Sequence, residues 1–257
     1  MTGLSIDLSG KSALVTGAGQ GVGRAISLYL AAAGAEVLVN DIDAERAESV
    51  VSEIASEGKA RTAVFDVTDW ASVRGVVDEV GPVDILVNNA GNAGPEGWTG
   101  MRPFHETEPE DWGRFIDVNL YGVMHCVRAA LPGMIGLPDG RIITVISDSG
   151  RTGDANLAPY AAAKAGAAGF SRCIAREVGR YGITVNCVAL GTIMPHGTDP
   201  EQDLADEQAK RIVSRYVVRR RGRPEDVAGI VTYLASPDAS WITGQTYPVN
   251  GGYSFAL

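Results

Sequence analysis

Short runs of apolar residues alternate along the chain with longer segments that have helical periodicity. The apolar runs predict β-strands at residues 12–16, 36–40, 62–65, 85–88, 141–146, 184–188 and 245–249. The segments between them predict helices at residues 23–33, 44–57, 71–80, 111–131, 159–181 and 224–235. Because strand–helix alternation forms right-handed βαβ units, this order favours a parallel sheet covered on both faces. We therefore expect an α/β fold with a doubly wound seven-stranded sheet, in a single domain over residues 1–257.

Two segments interrupt this alternation. Residues 92–107 contain Gly and Pro after the fourth predicted strand, and residues 191–222 follow the sixth. The second segment includes an acidic stretch, 199–207, that is typical of a mobile helix, and His196, a candidate substrate contact. Both segments leave the carboxyl ends of strands, where ligands bind in open α/β sheets. We expect residues 191–222 to cover a substrate, and the alternative for both segments is an ordinary surface loop.

Composition and charge exclude some classes of partner. The chain is 45% hydrophobic and 21% charged, which supports a packed core rather than disorder. Its formal net charge of -9 argues against a nucleic-acid partner, because such proteins usually carry a basic face. One basic cluster occurs at residues 219–223. We interpret it as a solvated loop before the helix at 224, with a phosphate contact as the alternative.

The chain lacks the signals of export, membrane insertion and metal binding. Its first residues have neither the basic nor the apolar region of a signal peptide, and no apolar stretch approaches the roughly 18 to 20 residues that span a bilayer. The three cysteines and three histidines are spaced neither as disulfide pairs nor as metal ligands. They are Cys126, Cys173, Cys187, His105, His125 and His196. We therefore expect a soluble cytoplasmic protein with no membrane partner and no metal.

A glycine-rich turn follows the first predicted strand and opens the first predicted helix. Glycines allow the backbone to turn tightly and to approach a pyrophosphate, while the N–H groups at the start of the helix point at the anion. The candidate cofactor-binding residues of this turn are Gly17, Gly19, Gln20, Gly21, Val22 and Gly23. Because the turn lies between a strand and a helix, it predicts a dinucleotide cofactor.

An acidic residue at the end of the second predicted strand indicates which dinucleotide. Asp41 lies 24 positions after Gly17, where a carboxylate accepts hydrogen bonds from the adenosine ribose and repels a 2′-phosphate. The glycine turn holds no basic residue that would neutralise such a phosphate. We therefore predict NAD as the cofactor. The alternative is that Asp41 caps the helix starting near Ala44, a role that Asp43 fills better.

Four polar residues form a candidate catalytic set. Tyr160 and Lys164 are four positions apart in a predicted helix, which places both on one face. A neighbouring ammonium, with an oxidised nicotinamide nearby, is expected to lower the Tyr160 pKa and make the residue an acid/base. Ser147 follows the fifth strand, where its hydroxyl can bond a substrate oxygen, and Asn119 is a poor helix former that predicts a kink or a bound water. The alternative for Tyr160 and Lys164 is a solvent-facing pair.

These motifs, in this order and spacing, resemble the classical short-chain dehydrogenase/reductase family over residues 8–252. The resemblance implies a seven-stranded Rossmann fold, with Tyr160 as acid/base and Ser147 orienting the reacting oxygen. It implies that Lys164 binds the nicotinamide ribose and that Asn119 positions a water. It also implies a homotetramer that packs the helix of Tyr160 and the preceding long helix against a partner. The further cofactor contacts that it implies are Ile42, Asp66, Val67, Asn89, Ala90, Gly91, Tyr160, Lys164, Gly191, Thr192 and Ile193.

The sequence departs from the family pattern in two places. Leu190-Gly191 replaces the usual Pro-Gly, so either Thr192 or Ile193 is the nicotinamide contact. The stretch 147–151 differs from the commoner Ser-Ser-x-x-Gly and is similar to members that act on alicyclic hydroxyacyl-CoA thioesters.

The leading hypothesis for function is hydride transfer between NAD(H) and a secondary alcohol or ketone. The alternatives are an NADPH-dependent 3-oxoacyl-thioester reductase and a non-catalytic dinucleotide sensor. The identity of the substrate stays open.

Overall fold

One parallel sheet organises the part of the chain that the computed structural model describes, residues 6–56, 58–91, 102–194 and 207–255. Its strands are β1 (Ser12–Val15), β2 (Glu36–Val39), β3 (Lys59–Thr62), β4 (Ile85–Asn88), β5 (Arg141–Ser147), β6 (Thr184–Leu190) and β7 (Thr246–Val249). The helices within those ranges are α1 (Gly21–Ala32), α2 (Ala44–Ile54), α3 (Trp70–Val80), α4 (Gly113–Ile116), α5 (Gly122–Met134), α6 (Ser149–Thr152), α7 (Ala158–Val178), α8 (Glu207–Ser214) and α9 (Pro224–Ala235). A π-helical segment, Asp117–Tyr121, joins α4 to α5.

The order of the strands confirms a doubly wound sheet. They lie in the order β3-β2-β1-β4-β5-β6-β7, and every neighbouring pair is parallel. The chain winds outward from β1 in one direction and, after crossing to β4, in the other. In sheets of this kind a crevice opens where the direction reverses, beyond the carboxyl ends of β1 and β4.

Both faces of the sheet are buried, as the apolar strands predict. Side chains alternate between faces, so Leu14 of β1 joins a core with α3, α5 and α7, whereas Val15 joins a second core with α1, α2 and α9. Burying each such side chain stabilises the fold by about 1.5–3 kcal/mol. The two cores together hold the strand ends, and thus the crevice, in place.

The third strand lies earlier than the sequence predicts, at Lys59–Thr62 rather than 62–65. The apolar residues of 62–65 suggested a strand, but the ladder with β2 ends at Val39 and Thr62. Beyond that point Asn40 takes over the pairing, because its Nδ2 donates to the carbonyls of Ala63 at 2.9 Å and Phe65 at 3.0 Å. A side chain therefore replaces the sheet partner, and the chain leaves the ladder.

The predicted helix at 111–131 is interrupted and ends later. It consists of α4, the π-helical segment Asp117–Tyr121 and α5, which continues to Met134 past Pro132. The irregular segment contains Asn119, the residue at which the sequence predicts a kink or a bound water. Other bounds differ by one to three residues: for example, β6 extends beyond the predicted 188 to Leu190, α2 ends at Ile54 rather than 57, and α7 ends at Val178 rather than 181.

We expect Asn40→Ala to lower the free energy of unfolding by about 3 kcal/mol. Asn40 is buried, and its side chain bonds two carbonyls after β3 and the N–H of Gly17, so the substitution leaves three backbone groups without this partner. Urea unfolding measures the change through the transition midpoint at constant slope. An unchanged midpoint would show that the side chain does not hold this edge of the sheet.

Candidate active site

Reciprocal hydrogen bonds between Thr16 and Asn89 hold the glycine turn against the end of β4. Thr16 Oγ1 accepts from the backbone N–H groups of Asn89 and Ala90, each at 3.0 Å. In return, Asn89 Nδ2 donates to the carbonyls of Thr16 and Gly17, each at 2.9 Å. Gly17 has a φ of 60°, and a Cβ on it would lie 2.8 Å from Ala90 Cα. Glycine is required there both by conformation and by space.

Helix α1 begins directly on this turn and presents its N-terminus to the crevice. A Cβ on Gly23 would lie 2.2 Å from the Gly17 carbonyl oxygen, so the helix and the turn are in direct contact. Among the described residues no side chain caps α1, and its first turn holds no acidic residue. The first N–H groups and the positive end of the helix dipole therefore suit an anion.

Asp41 is buried and points at the glycine turn. Its Oδ2 accepts from the N–H of Gly19 at 3.1 Å, and its Oδ1 accepts from the N–H of Asp43 at 3.0 Å. Asp43 caps α2 instead, since its carboxylate accepts from the N–H groups of Glu45 and Arg46. The capping alternative for Asp41 is therefore wrong, and its carboxylate belongs to the crevice.

A basic residue does lie beside Asp41, although the glycine turn itself contains none. Arg46, in the first turn of α2, places Nη2 2.9 Å from Asp41 Oδ1 and Nε 3.4 Å from Asp43 Oδ2. A Cβ on Gly19 would lie 2.7 Å from Arg46 Cβ, so the arginine lines the same corner. Two carboxylates and one guanidinium leave this corner with a net negative charge.

Ser147 and Tyr160 meet beyond the carboxyl end of β5. Ser147 is the last residue of that strand, Tyr160 lies in the first turn of α7, and their hydroxyls are hydrogen-bonded to each other. Ser147 Oγ also accepts from the N–H of Ser149 at 3.2 Å. The Tyr160 ring is 9% exposed and packs with Phe115 and Leu157. The solvent-facing alternative for this tyrosine is therefore wrong.

Lys164 lies one turn after Tyr160 on the same face of α7, as the spacing predicts. Its Nζ is 5.9 Å from the centre of the Tyr160 ring. The side chain is buried, and Nζ donates to the carbonyl of Val145 at 2.9 Å. The ammonium is thus fixed between β5 and α7.

Asn119 approaches Lys164 from the π-helical segment. Its Nδ2 donates to the carbonyl of Phe115 at 2.8 Å, and the residue is fully buried. Asn119 Oδ1 and Lys164 Nζ each lie 2.8 Å from the position that a Cβ on Gly91 would take. The two polar groups therefore converge on a glycine that follows β4.

Burial shifts the pKa values of Tyr160 and Lys164 in opposite directions. It raises the pKa of Tyr160 to about 12, against the opposing hydrogen bond from Ser147. It lowers the pKa of Lys164 to about 8, with an opposing contribution from Cys187. Burial dominates among the protein's own groups, and the ammonium is directed at the Val145 carbonyl. The expected lowering of the Tyr160 pKa, which also invokes an oxidised nicotinamide, stays a prediction.

The segment after β6 is held by a tyrosine from beyond α8. The N–H of Thr192 donates to Tyr216 OH at 2.8 Å, and the Thr192 carbonyl accepts from the N–H of Gly222 at 3.0 Å. Ile193 and Gly222 form an isolated parallel bridge, in which the N–H and carbonyl of Ile193 point away from Gly222. The backbone groups of Thr192 are thus occupied, which favours Ile193 as the contact for a ligand amide.

Three other expected cofactor residues lie at the rim of the sheet. Asp66 accepts from the N–H and hydroxyl of Thr68, each at 2.8 Å, and the Val67 carbonyl accepts from His125 Nδ1 at 2.9 Å. These contacts bind Asp66 to the turn that follows it and Val67 to α5, rather than to the glycine turn. Ile42 is 59% exposed beside Asp41.

Several expectations fall outside the described residues or concern absent groups. His196, the stretch 199–206 and residues 92–101 lie outside the described ranges. Within those ranges, no group of His, Cys, Asp or Glu side chains has the arrangement of a metal site. No helix in the same part of the chain is long and apolar enough to cross a bilayer. All three cysteines are free thiols: Cys126 and Cys187 are buried, and Cys173 is exposed.

Comparisons with known proteins agree with this architecture. The family model for enoyl-(acyl carrier protein) reductase matches residues 17–254. The chain is 40% identical over 251 residues to 3-oxoacyl-(acyl-carrier-protein) reductase of Escherichia coli (strain K12), which covers 96% of this chain and 98% of that relative. The chain belongs to the short-chain dehydrogenase/reductase family. As a member of this family it is an oxidoreductase, and its fold suits a nicotinamide dinucleotide.

Solved structures of short-chain dehydrogenases/reductases superpose on nearly the whole chain. A dehydrogenase/reductase from Sinorhizobium meliloti 1021 is 34% identical, with a TM-score of 0.87 over 98% of both chains. A structure from Beutenbergia cavernae is 35% identical, with a TM-score of 0.88 over 97% of this chain and 99% of that chain. That protein is described provisionally as an NAD(P)-dependent gluconate 5-dehydrogenase and holds NADP at low occupancy.

We expect Gly91→Ala to lower turnover by about tenfold or more, because the new methyl group would displace Asn119 Oδ1, Lys164 Nζ or both. Stability should change by less than about 1 kcal/mol, since both atoms end flexible side chains. Steady-state kinetics and urea unfolding measure the two effects. The matched control is Gly75→Ala in α3, whose Cβ would meet nothing within 4 Å and should leave turnover unchanged. Full activity in Gly91→Ala would contradict this account of the convergence.

Proposed function

We propose that this chain is an NAD-dependent dehydrogenase that transfers a hydride between the cofactor and a secondary alcohol or ketone. The observation that carries the proposal is the hydrogen-bonded pair of Ser147 and Tyr160 at the carboxyl edge of the sheet. Lys164 lies one helical turn away, and Asn119 converges with it on Gly91. This arrangement places two hydroxyl donors where a carbonyl oxygen could accept from both.

The residues of the crevice fit a dinucleotide. The uncapped start of α1 and the glycine turn would hold the pyrophosphate, and Asp41 would accept from the adenosine ribose. The backbone of Ile193 offers a donor and an acceptor to a carboxamide. When bound, the nicotinamide supplies or accepts the hydride at its C4 atom.

The chain's own residues would handle the proton and the substrate oxygen. Tyr160 keeps its proton at neutral pH because burial raises its pKa to about 12, so it suits the role of acid toward a ketone oxygen. Ser147 would donate to the same oxygen and orient it. For alcohol oxidation Tyr160 must act as a base, which requires positive charge beside the phenol. Lys164 is the buried cation nearest to supply it, and it stays mostly protonated at pH 7 with a pKa of about 8.

We expect Tyr160→Phe to lower turnover by about 10²–10⁴-fold, the usual contribution of a positioned acid/base. The variant keeps the ring that packs with Phe115 and Leu157, so cofactor binding should stay within a few-fold of the unmodified protein. Nicotinamide fluorescence measures binding, and absorbance of the reduced cofactor measures turnover. Normal turnover in this variant would rule out the proposed proton transfer.

The preference for NAD over NADP rests on the corner around Asp41. The net negative charge of Asp41, Asp43 and Arg46 disfavours a 2′-phosphate, and Asp41 occupies the position that the ribose hydroxyls would reach. The Beutenbergia cavernae structure holds NADP at low occupancy, so the competing prediction for this chain is a preference for NADP.

We expect Asp41→Ser to raise kcat/KM with NADP by about tenfold, because it removes a like charge and releases Arg46 toward the phosphate. The hydroxyl can still accept from the N–H of Gly19. The double variant Asp41→Ser/Arg46→Ala should lose this gain. Asp43→Ser is the comparison variant, since it removes an equal charge from the same corner and retains a capping oxygen. It should gain less, because the Asp43 side chain is 45% exposed and lies 3.4 Å from Arg46, against 7% and 2.9 Å for Asp41. Wild-type preference for NADP, or an equal gain in the comparison variant, would contradict the assignment to Asp41.

A second candidate function is the reduction of 3-oxoacyl thioesters with NADPH. The 40% identity to the Escherichia coli reductase favours it. A panel of secondary alcohols, hydroxyacyl-CoA thioesters and sterols with NAD⁺, set against 3-oxoacyl thioesters with NADPH, discriminates between the two. Selective turnover of the thioesters with NADPH would favour this second candidate.

We further propose that residues 191–222 cover the substrate and that four copies assemble through α5 and α7. Val213 and Tyr216, near the end of α8, are buried, so this end of the segment is already anchored to the fold. Light scattering would test the tetramer.

A further inference from the structure

Two carboxylates lie in the loop that directly follows Ser147, and Asp148 is the first. Asp148 is only 2% exposed. Its Oδ1 accepts from Arg151 Nη1 at 2.5 Å, and its Oδ2 accepts from Asn250 Nδ2 at 2.7 Å and from Ser254 Oγ at 2.6 Å. Two of its three partners therefore belong to residues 250–255, which are about 100 positions away along the chain. We call these residues the 250–255 segment.

Asp154, the second carboxylate, is bound to the same segment through Tyr253. Asp154 Oδ1 accepts from Tyr253 OH at 2.7 Å, and its Oδ2 accepts from Ser149 Oγ at 2.6 Å. The Tyr253 hydroxyl in turn accepts from Arg215, whose guanidinium lies 4.5 Å from the centre of the tyrosine ring. Burial and Asp154 raise the pKa of Tyr253 to about 12, so its hydroxyl remains a donor at neutral pH.

The backbone between Ser147 and Tyr160 depends on such contacts because much of it is irregular. After the single turn of α6, Gly153 has a φ of 77° and Asn156 a φ of 68°. Glycine and asparagine adopt this left-handed conformation more readily than other residues, so the backbone here follows no regular helix or strand pattern. The side-chain bonds to Asp148 and Asp154 supply contacts that regular backbone pairing does not.

The 250–255 segment also reaches the opposite side of the site. The carbonyl of Gly251 accepts from the N–H of Val218 at 2.8 Å, and the rings of Tyr253 and Tyr216 are 5.3 Å apart. Tyr216 OH accepts from Thr192, in the segment that follows β6. One short segment thus joins the loop after Ser147 to the segment after β6.

We propose that Tyr253 is a positioning residue for the reaction, acting through Asp154 to set the place of Ser147 relative to Tyr160. This inference rests on the proposed function, because it takes Ser147 as the residue that orients the substrate oxygen. Without the Tyr253 hydroxyl, Asp154 loses its own bond to the 250–255 segment, and the loop keeps only the bonds that Asp148 and Arg151 make to that segment. Ser147 then samples positions in which it no longer shares the oxygen with Tyr160.

The test is Tyr253→Phe, with Tyr181→Phe as a matched control. Tyr181 makes the same kind of pair, with Arg180 Nη2 2.6 Å from its hydroxyl and the guanidinium 4.7 Å from the ring centre. It lies at the opposite edge of the sheet, where β6 begins. We expect Tyr253→Phe to lower kcat about tenfold while the dissociation constant of NADH changes less than twofold. The control should leave both unchanged.

A double-mutant cycle with Asp154→Asn tests the route of the effect. If Tyr253 acts through Asp154, the double variant should be no slower than the slower single variant. Arg215→Gln, at a side chain that is 60% exposed, replaces Tyr253→Phe if that variant does not fold, and it should also lower kcat at constant NADH affinity. Equal losses of kcat, NADH affinity and melting temperature would indicate a structural role and overturn the proposal.

Ser147→Ala separates this proposal from the proposed function. If Ser147→Ala and Tyr160→Phe keep normal turnover, the proposed function fails. If both lose turnover while Tyr253→Phe keeps the kcat of the unmodified protein, the role of Tyr253 fails and the proposed function stands.

Discussion

The paired hydrogen bonds between Thr16 and Asn89 are the constraint on which the rest of the site depends. They tie the turn after β1 to the segment after β4, the two strands between which the sheet reverses direction. Because α1 starts on that turn and Gly91 lies two residues after Asn89, the same bonds place the N-terminus of α1 beside the glycine where Lys164 and Asn119 converge. The proposed cofactor corner and the proposed catalytic groups are therefore held by one junction rather than by two independent loops.

Burial favours the neutral form of both Tyr160 and Lys164, the proposed catalytic groups. A buried phenol resists losing its proton and a buried ammonium resists keeping one, so the Tyr160 pKa rises and the Lys164 pKa falls. Their reactivity therefore depends on a few fixed partners, Ser147 for the phenol and the Val145 carbonyl for the ammonium. Small displacements of these partners have large effects in such a setting, because an unpaired polar group that is buried in the protein is costly.

The sequence was sufficient for the sheet, the glycine turn and the order of the polar residues, since each follows from local pattern. Apolar alternation marks strands, glycines mark the turn, and a spacing of four places Tyr160 and Lys164 on one face. The sequence was insufficient where a residue distant along the chain determines where a strand ends or which side chains meet. Asn40 ends the β3 ladder through a side chain, and Arg46 reaches Asp41 from the next helix. The pKa of Tyr160 depends on its burial against Phe115 and Leu157, and the local sequence pattern does not predict that burial.

The π-helical segment at Asp117–Tyr121 accommodates one more residue per turn than the helices on either side. That extra residue rotates the residues that precede it about the helix axis, relative to α5. Its deletion would return the helix to regular pairing and rotate Asn119 away from Lys164 by about 100°. A chain of this fold that lacks the extra residue would therefore keep its shape and lose the inward-facing amide.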